Sequence, residues 1–305
     1  ASTNRCPQGN KIMNKKLDPL MPLDDIFTSN SQEIQCHSKS YHESNVLPQF
    51  TSCCPAWVNY VEKLHHELIP NLSSTKSPHM IVAKLVKTYF ASMMNIDPKE
   101  IFMVSLMPCV AKKDEIRRMQ LTGDCDAVIT SQEFAALVDE FGIIFKSLTD
   151  SEFDSLLGAS SGAGQIFGTT GGVAEATIRY IHKLITKKPL TDKIEYEAFR
   201  GMKTIKTSTI KIDSHQFKIA VCNGISAVNE LIETDKYKGF DFIEVMACPG
   251  GCIGGAGQPY LRKSRMQERM NGIYSIDKSK EVRVADENPD LQTVYRTFVG
   301  QPGTP

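Results

Sequence analysis

The chain has 305 residues, 41% of them hydrophobic, and its 35 basic and 35 acidic side chains cancel to a formal charge of zero. Balanced charge removes any general electrostatic case for nucleic acid or a membrane surface as partner. No run reaches the roughly 18 apolar residues of a membrane helix, and the opening Ala1-Ser-Thr-Asn-Arg5 lacks the apolar core of a secretory signal.

The length suits one large or two modest globular domains. Nine cysteines is an odd number, and Cys53 and Cys54 are adjacent. Thiols kept for a metal in a reducing compartment fit this usage better than a disulfide scaffold.

Residues 1–48 read as an N-terminal arm. Asn10 to Lys16 is polar and basic, and Leu17 to Ile26 is extended by its two prolines. Ser29 to Asn45 is polar; Cys36, His37 and His42 match no common zinc spacing, so it reads as a surface loop.

From Thr51 the pattern sharpens. Pro55 opens a helix to about Leu68, with Val58, Val61, Leu64 and Leu68 as its stripe and Trp57 beside it. Ser77-Pro78 opens a second helix to about Met94, with Met80, Ala83, Val86 or Val82, and Phe90 inward. Ile101 to Leu106 is a strand, Lys113 to Gln120 a charged helix, and Ala127 to Ile129 a short strand. Thr130 and Glu133 predict a capping box on a helix closing at Gly142.

Ser160 to Gly172 is rich in glycine, including Gly162 and Gly164, and leads into a helix from Val173 to about Thr186. Free N–H groups there could meet an anion or cofactor, which makes Gly162 and Gly164 candidate cofactor contacts. As a nucleotide loop the stretch is weak, because no Lys-Ser/Thr ending follows. Ile194–Phe199, Thr204–Ile212, Phe217–Cys222 and Phe242–Val245 read as strands, and Ala227–Glu233 as a helix. Glu281 to Ala285 reads as one more strand, and 300–305 as a tail. Arg262, Lys263, Arg265 and Arg269 form a basic segment, either a dock for an acidic partner or a solvated surface.

The predicted class is α/β. It has two lobes, each a small mixed sheet flanked by helices, with a cofactor buried between them. Lobe one covers about 49–158 and lobe two about 159–260, followed by a C-terminal segment 261–305.

The thiols carry the chemistry. Cys248 and Cys252 lie four apart among five glycines, directly after the strand ending at Val245. Ligands in α/β proteins gather at the carboxyl ends of strands. Two structural thiols in a glycine-rich loop are the plain alternative. Cys53 and Cys54 stand before Pro55 at a helix start, where thiolate is favoured. Adjacent side chains point apart, so one can bind metal while the other faces away from it. Cys109 follows a strand, and Lys112, three residues on, can pair with Glu115. Cys54, Cys109, Cys248 and Cys252 are the ligand number of a 4Fe–4S cluster, which zinc would share. Zinc leaves the glycines, the lysine and the spare Cys53 unexplained.

Thr51-Ser-Cys-Cys-Pro-Ala-Trp57, Met107-Pro-Cys-Val-Ala-Lys-Lys-Asp-Glu115 and Glu244-Val-Met-Ala-Cys-Pro-Gly-Gly-Cys-Ile-Gly-Gly-Ala-Gly-Gln-Pro259 resemble the three signatures of iron-only (FeFe) hydrogenases. Asn71 to Pro78, Asp126 to Thr130, Phe167 to Ala176 and Phe199-Arg-Gly201 are similar to the family in the same order.

The resemblance implies an H-cluster: a 4Fe–4S cubane joined through a cysteine sulfur to a two-iron unit with CO, cyanide and azadithiolate. It assigns Cys54, Cys109, Cys248 and Cys252 to the cubane, with Cys252 as the bridge. Cys53 becomes the proton donor, Lys112 a cyanide partner, Met107 and Met246 lining residues, and Ser73 part of the proton path. It further implies a ferredoxin-like electron carrier, maturation proteins that insert the two-iron unit, and a monomer in the cytoplasm or an anaerobic organelle (hydrogenosome or plastid). The reaction implied is reversible reduction of protons to H2. The alternatives are a sensory homologue or a cytosolic iron–sulfur assembly factor without H2 turnover. Several positions depart from the family pattern. His79 replaces the usual glutamine, Ala56 and Ala256 replace common glycines, and Glu33 and Cys36 stand near where two relay acids are expected.

Overall fold

The computed structural model describes residues 46–151, 154, 160–188, 195–259 and 263–300, the side chains of residues 263 and 264 excepted. Cys6, Cys36, Glu33, His37, His42, Arg262 and the tail beyond Gly300 lie outside the described residues, as does the arm up to residue 45.

In chain order the strands are β1 (Gln49–Phe50), β2 (Val104–Met107), β3 (Ala127–Thr130), β4 (Ile205–Ile212), β5 (His215–Asn223) and β6 (Phe242–Met246). The helices are α1 (Pro55–Leu64), α2 (Pro78–Leu85), α3 (Ala91–Met94), α4 (Lys112–Glu115) and α5 (Ser131–Glu140). They continue with α6 (Gly162–Ile166), α7 (Gly172–Thr186), α8 (Ile225–Glu233), α9 (Lys263–Ser279) and α10 (Pro289–Val294).

Two sheets form. One has the order β1-β6-β5-β4, with β1 and β5 parallel to β6 and β4 antiparallel to β5. The other is the parallel pair β2–β3. The mixed α/β class is therefore as expected, although only the larger sheet is mixed. Residues 49–72, placed in lobe one by the sequence, pack on the larger sheet instead. Phe50, Trp57, Val61 and Leu68 share a core with Ala220, Cys222, Ile243 and Val245.

Strand alternation explains that sheet. Ile243 and Val245 face α1 and α8, whereas Phe242 joins Ile219 and Val221 against Ala174 and Ile178 of α7. Both faces are covered, so β6 is buried along its whole length. Each large apolar side chain removed from water contributes about 1.5–3 kcal/mol. The smaller sheet packs through Val128 on Met80 and Ala83 of α2.

Several local expectations shift. The first helix stops at Leu64, and a 3-10 stretch through Pro70 buries Leu68 while Leu64 is exposed. The second runs from Pro78 to Met94 through a π turn at Val86–Phe90. The charged helix is only α4 followed by turns. Thr130 and Glu133 do form the capping box. Glu195 to Phe199 is not a strand: Phe199 turns into the α7 core, and Glu195 pairs with Arg200 and Arg283. Nor is the Glu281–Ala285 stretch, because the Val282 carbonyl accepts from Gly162 N–H at 2.8 Å.

Candidate metal centre

Three strands from the two sheets deliver the thiols. Cys53 and Cys54 follow β1, Cys109 follows β2, and Cys248 follows β6 with Cys252 in the next turn. Backbone contacts close the gap between the sheets. Gly257 N–H donates to Pro108 O at 3.0 Å, and Gln132 N–H donates to Gly257 O at 3.0 Å. The glycines are there for this approach: a Cβ on Gly255 would lie 2.1 Å from Pro108 O, and one on Gly257 2.7 Å from Cys109 N. On the other side of the loop, a Cβ on Gly251 would meet Thr170 N at 2.7 Å.

The thiols sense one another. Burial pushes Cys109, Cys248 and Cys252 up, Cys252 to about 12, and the Cys54 sulfur adds to the rise in each. N–H groups of Lys112 and Ala111 moderate Cys109, and that of Ala256 moderates Cys248. Cys53 is raised furthest. Burial dominates, the Lys112 charge opposes it, and Cys54, Cys252 and Glu244 add to it. All five cysteines are free and partly buried.

Lys112 is buried on α4. Its ammonium donates to Cys53 O at 2.9 Å and to Glu115 Oε2 at 2.8 Å. An ammonium has three donors, so one remains for the site. Ser73 lies on the segment after the 3-10 stretch: its N–H donates to Phe50 O at 2.9 Å, and its hydroxyl accepts from Thr75 N–H at 3.2 Å. No hydrogen bond joins Ser73 to Cys53 among the described residues. Met107 and Met246 end β2 and β6, two residues before Cys109 and Cys248.

Gly162 and Gly164, the candidate cofactor contacts, have their N–H groups engaged within the fold. Gly162 N–H is taken by Val282 O, and a Cβ there would lie 2.2 Å from Asp277 Oδ1. Gly164 N–H is taken by the Ser161 hydroxyl, which caps α6. Both N–H groups are thus taken inside the chain, and Gly162 seats α9. Arg269 also leaves the basic patch, since it donates to Ile253 O at 2.7 Å, while Arg265 is exposed.

Other contributors escaped the sequence reading. Glu244 is buried, and its carboxylate accepts from Gly171 N–H at 2.6 Å and Ala174 N–H at 2.8 Å, tying β6 to the start of α7. An acid inside the apolar Phe242–Val245 run was the available signal. Asn223 Oδ1 accepts from Gly250 N–H at 2.6 Å and shapes the cysteine loop.

A cluster fits these residues. Four cysteines are the ligand number of a 4Fe–4S cluster, and they lie near enough that the Cys54 sulfur adds to the rise in the other three. Among the described residues no three histidines, cysteines or acids stand together as a site for one metal ion. The buried hydroxyls of Thr75 and Ser77 have no partner among the described residues, and Ser52, beside Cys53, donates to Thr75 O at 3.0 Å. These orphaned hydroxyls sit on a segment bonded to the thiol-bearing turn, as a polar group supplied from outside the chain requires.

The described residues thus define an α/β protein with five free, partly buried cysteines at the junction of two sheets. Comparison makes this specific. The family described as iron only hydrogenase large subunit, C-terminal domain, matches residues 24–256, and iron hydrogenase small subunit matches 263–305. The chain belongs to the iron-only hydrogenase family. It is 40% identical over 269 residues to iron hydrogenase 1 of Clostridium pasteurianum, covering 84% of this chain and 47% of that protein. It is 28% identical over 294 residues to the cytosolic Fe-S cluster assembly factor narfl of Danio rerio, covering 91% and 71%. The apo [FeFe]-hydrogenase HydA1 variant of Chlamydomonas reinhardtii superposes with a TM-score of 0.72 at 35% identity, covering 85% of this chain and 73% of that one. The chain spans about half the length of the hydrogenase relatives it matches first. No helix among the described residues is long and apolar enough to cross a membrane.

Proposed function

We propose that the chain is a hydrogenase that reversibly reduces protons to H2 with electrons from a ferredoxin-like carrier. The observation that carries this reading is Cys53: a fifth free thiol beside the four candidate ligands, with its carbonyl held by Lys112. A purely structural cluster has no use for it.

Cys54, Cys109, Cys248 and Cys252 hold the cubane in this reading, and Cys252 carries the bridge to the two-iron unit. When bound, the H-cluster supplies the iron at which protons and electrons combine. The protein supplies the rest. Cys53 Sγ, next to Cys54 in the chain and left over from the four ligands, acts as the proton donor. The spare Lys112 N–H offers a charge-assisted bond to an anionic cyanide. Met107 and Met246 exclude water beside the thiols. Ser73, bonded to the end of β1, stands next on the way outward. Arg265 is the described part of a carrier dock. Maturation proteins, a monomeric state and a cytoplasmic or anaerobic-organelle location complete the proposal.

A second reading rests on the likeness to the Danio rerio assembly factor across 91% of the chain: an iron–sulfur protein without H2 turnover. Loading the protein with cubane and two-iron unit separates them. Infrared bands of bound CO and cyanide, with H2 from reduced viologen, support the hydrogenase. An intact cubane spectrum with neither supports the second reading.

A further inference from the structure

His79 is the second residue of α2, and it is buried. Both ring nitrogens are engaged. Nε2 lies 2.6 Å from Glu115 Oε2, and Nδ1 lies 3.1 Å from Ser105 Oγ. Ser105 Oγ in turn lies 3.4 Å from Cys125 Sγ, whose thiol donates to Ala127 O at 3.3 Å. The same Glu115 oxygen accepts from Lys112 Nζ at 2.8 Å. One line of contacts therefore runs from β3 through β2, His79 and Glu115 to the ammonium beside Cys53.

Chemistry fixes its direction. Burial raises the Glu115 carboxyl, but the His79 and Lys112 contacts outweigh it and hold the group below its ordinary range. Glu115 is then a carboxylate that only accepts, so Nε2 carries a hydrogen whatever the charge on the ring. Ser105 holds the ring from the opposite edge. Nearby charges on α2 and the following segment are otherwise committed: Lys76 and Lys84 pair with Asp124, and Lys87 with Asp126.

We propose that His79 is a positioning residue for Lys112: it pins Glu115 Oε2 and thereby aims the remaining Lys112 N–H into the metal centre. Without His79, Glu115 keeps one partner in place of two, and the lysine head gains freedom to turn from the site. This rests on the hydrogenase reading only for what Lys112 meets there.

Two full-length variants test it, His79→Phe, which keeps a ring without donors, and His79→Gln, which keeps a donor. In the unloaded protein, the rate at which an acylating reagent modifies the Lys112 amine is read by mass spectrometry, with buried Lys206 as internal control. His79→Phe should speed Lys112 roughly tenfold, the equivalent of one charge-assisted hydrogen bond, and leave Lys206 unchanged. His79→Gln should stay near the parent rate. An unchanged Lys112 rate in folded His79→Phe, or an equal rise at Lys206, overturns the proposal. If His79→Phe does not fold, Ser105→Ala serves, with a smaller rise at Lys112 expected and no rise overturning the idea. In the loaded protein the cyanide infrared bands should shift in His79→Phe at equal iron content, and identical bands overturn the proposal. Absence of those bands from the unsubstituted protein would sink the hydrogenase reading and leave the labelling result to decide on His79.

Discussion

The Lys112 ammonium stands 2.9 Å from the Cys53 carbonyl oxygen, so the α4 lysine holds the turn that carries the two adjacent thiols. Glu115 Oε2 completes its grip at 2.8 Å. Lys112→Met removes the cation and leaves Glu115 buried with His79 alone. Breaking a buried pair by deleting one partner costs about 3–5 kcal/mol. Urea unfolding of the unloaded chain should show a loss of that order. Lys112→Arg should lose less stability, because its charge remains, and still weaken retention of the two-iron unit, because its fork replaces a point donor. Full retention in Lys112→Met would count against the cyanide role.

Cys53 and Cys54 should separate cleanly on substitution. Cys53→Ala removes a proton donor and no ligand, so iron per chain stays at the parent value while H2 production falls by about 10²–10⁴. Cys54→Ala should lower the iron content itself. Iron lost in Cys53→Ala, or H2 production kept, would contradict the assignment. Alkylation of Cys53 near neutral pH should also be slow, since burial keeps it protonated.

The small-subunit-like segment is joined to the rest by a buried ion network. Arg179 on α7 bonds Asp277 on α9 at 2.7 Å and 2.9 Å, and Glu175 at 2.7 Å. Arg200 and Arg283 close it from the sides. Gly162→Ala puts a methyl group 2.2 Å from Asp277 Oδ1. Overpacking of this kind costs about 1–3 kcal/mol, and Asp277→Asn should exceed it by stripping charge from buried arginines. Hydrogen exchange should quicken in α9 for both. The metal content of folded Gly162→Ala should not change, since Gly162 touches α9 and not the thiols.

Lys206 gives a pH signature. Its buried ammonium donates to Thr170 O at 3.0 Å and Gly201 O at 2.9 Å, and burial lowers its pKa from 10.5 to about 8, with Glu244 opposing. Below pH 8 both folded and unfolded chains carry the proton. Between the two values the unfolded chain still binds it and the folded chain does not, so this group's contribution to stability rises with pH. The rise should total about 3 kcal/mol and level off above the unfolded value. Lys206→Met should start less stable, because carbonyl acceptors lose their partner, and should lack that slope. A matching slope in the variant would assign it elsewhere.

Much of the site was legible in the sequence because its parts are local. A cysteine pair before a helix-starting proline, a lysine three residues from its glutamate and the Thr130–Glu133 cap depend on spacings of a few residues, which backbone geometry converts directly into contacts. The packing of Gly162 was hidden for the opposite reason. Its partner, Asp277, comes from α9 far along the chain, and a free N–H looks the same in sequence as one already bonded. The stretches 194–199 and 281–285 had strand-like composition, but among their described residues the ion pairs of Glu195 and the bond to the Val282 carbonyl took the place of strand pairing.

The sequence alone determined which atoms are available: five thiols in three short motifs, and one lysine within helical reach of its acid. Tertiary structure decided which of them meet. Only the pairing of β1 with β6 sets Cys53 and Cys54 in the same sheet as Cys248, and only the glycine loop on Pro108 brings Cys109 across from the other. The division is physical. Side-chain chemistry and short-range geometry are properties of neighbouring residues, whereas strand partners are chosen by burying apolar faces that lie far apart in the chain.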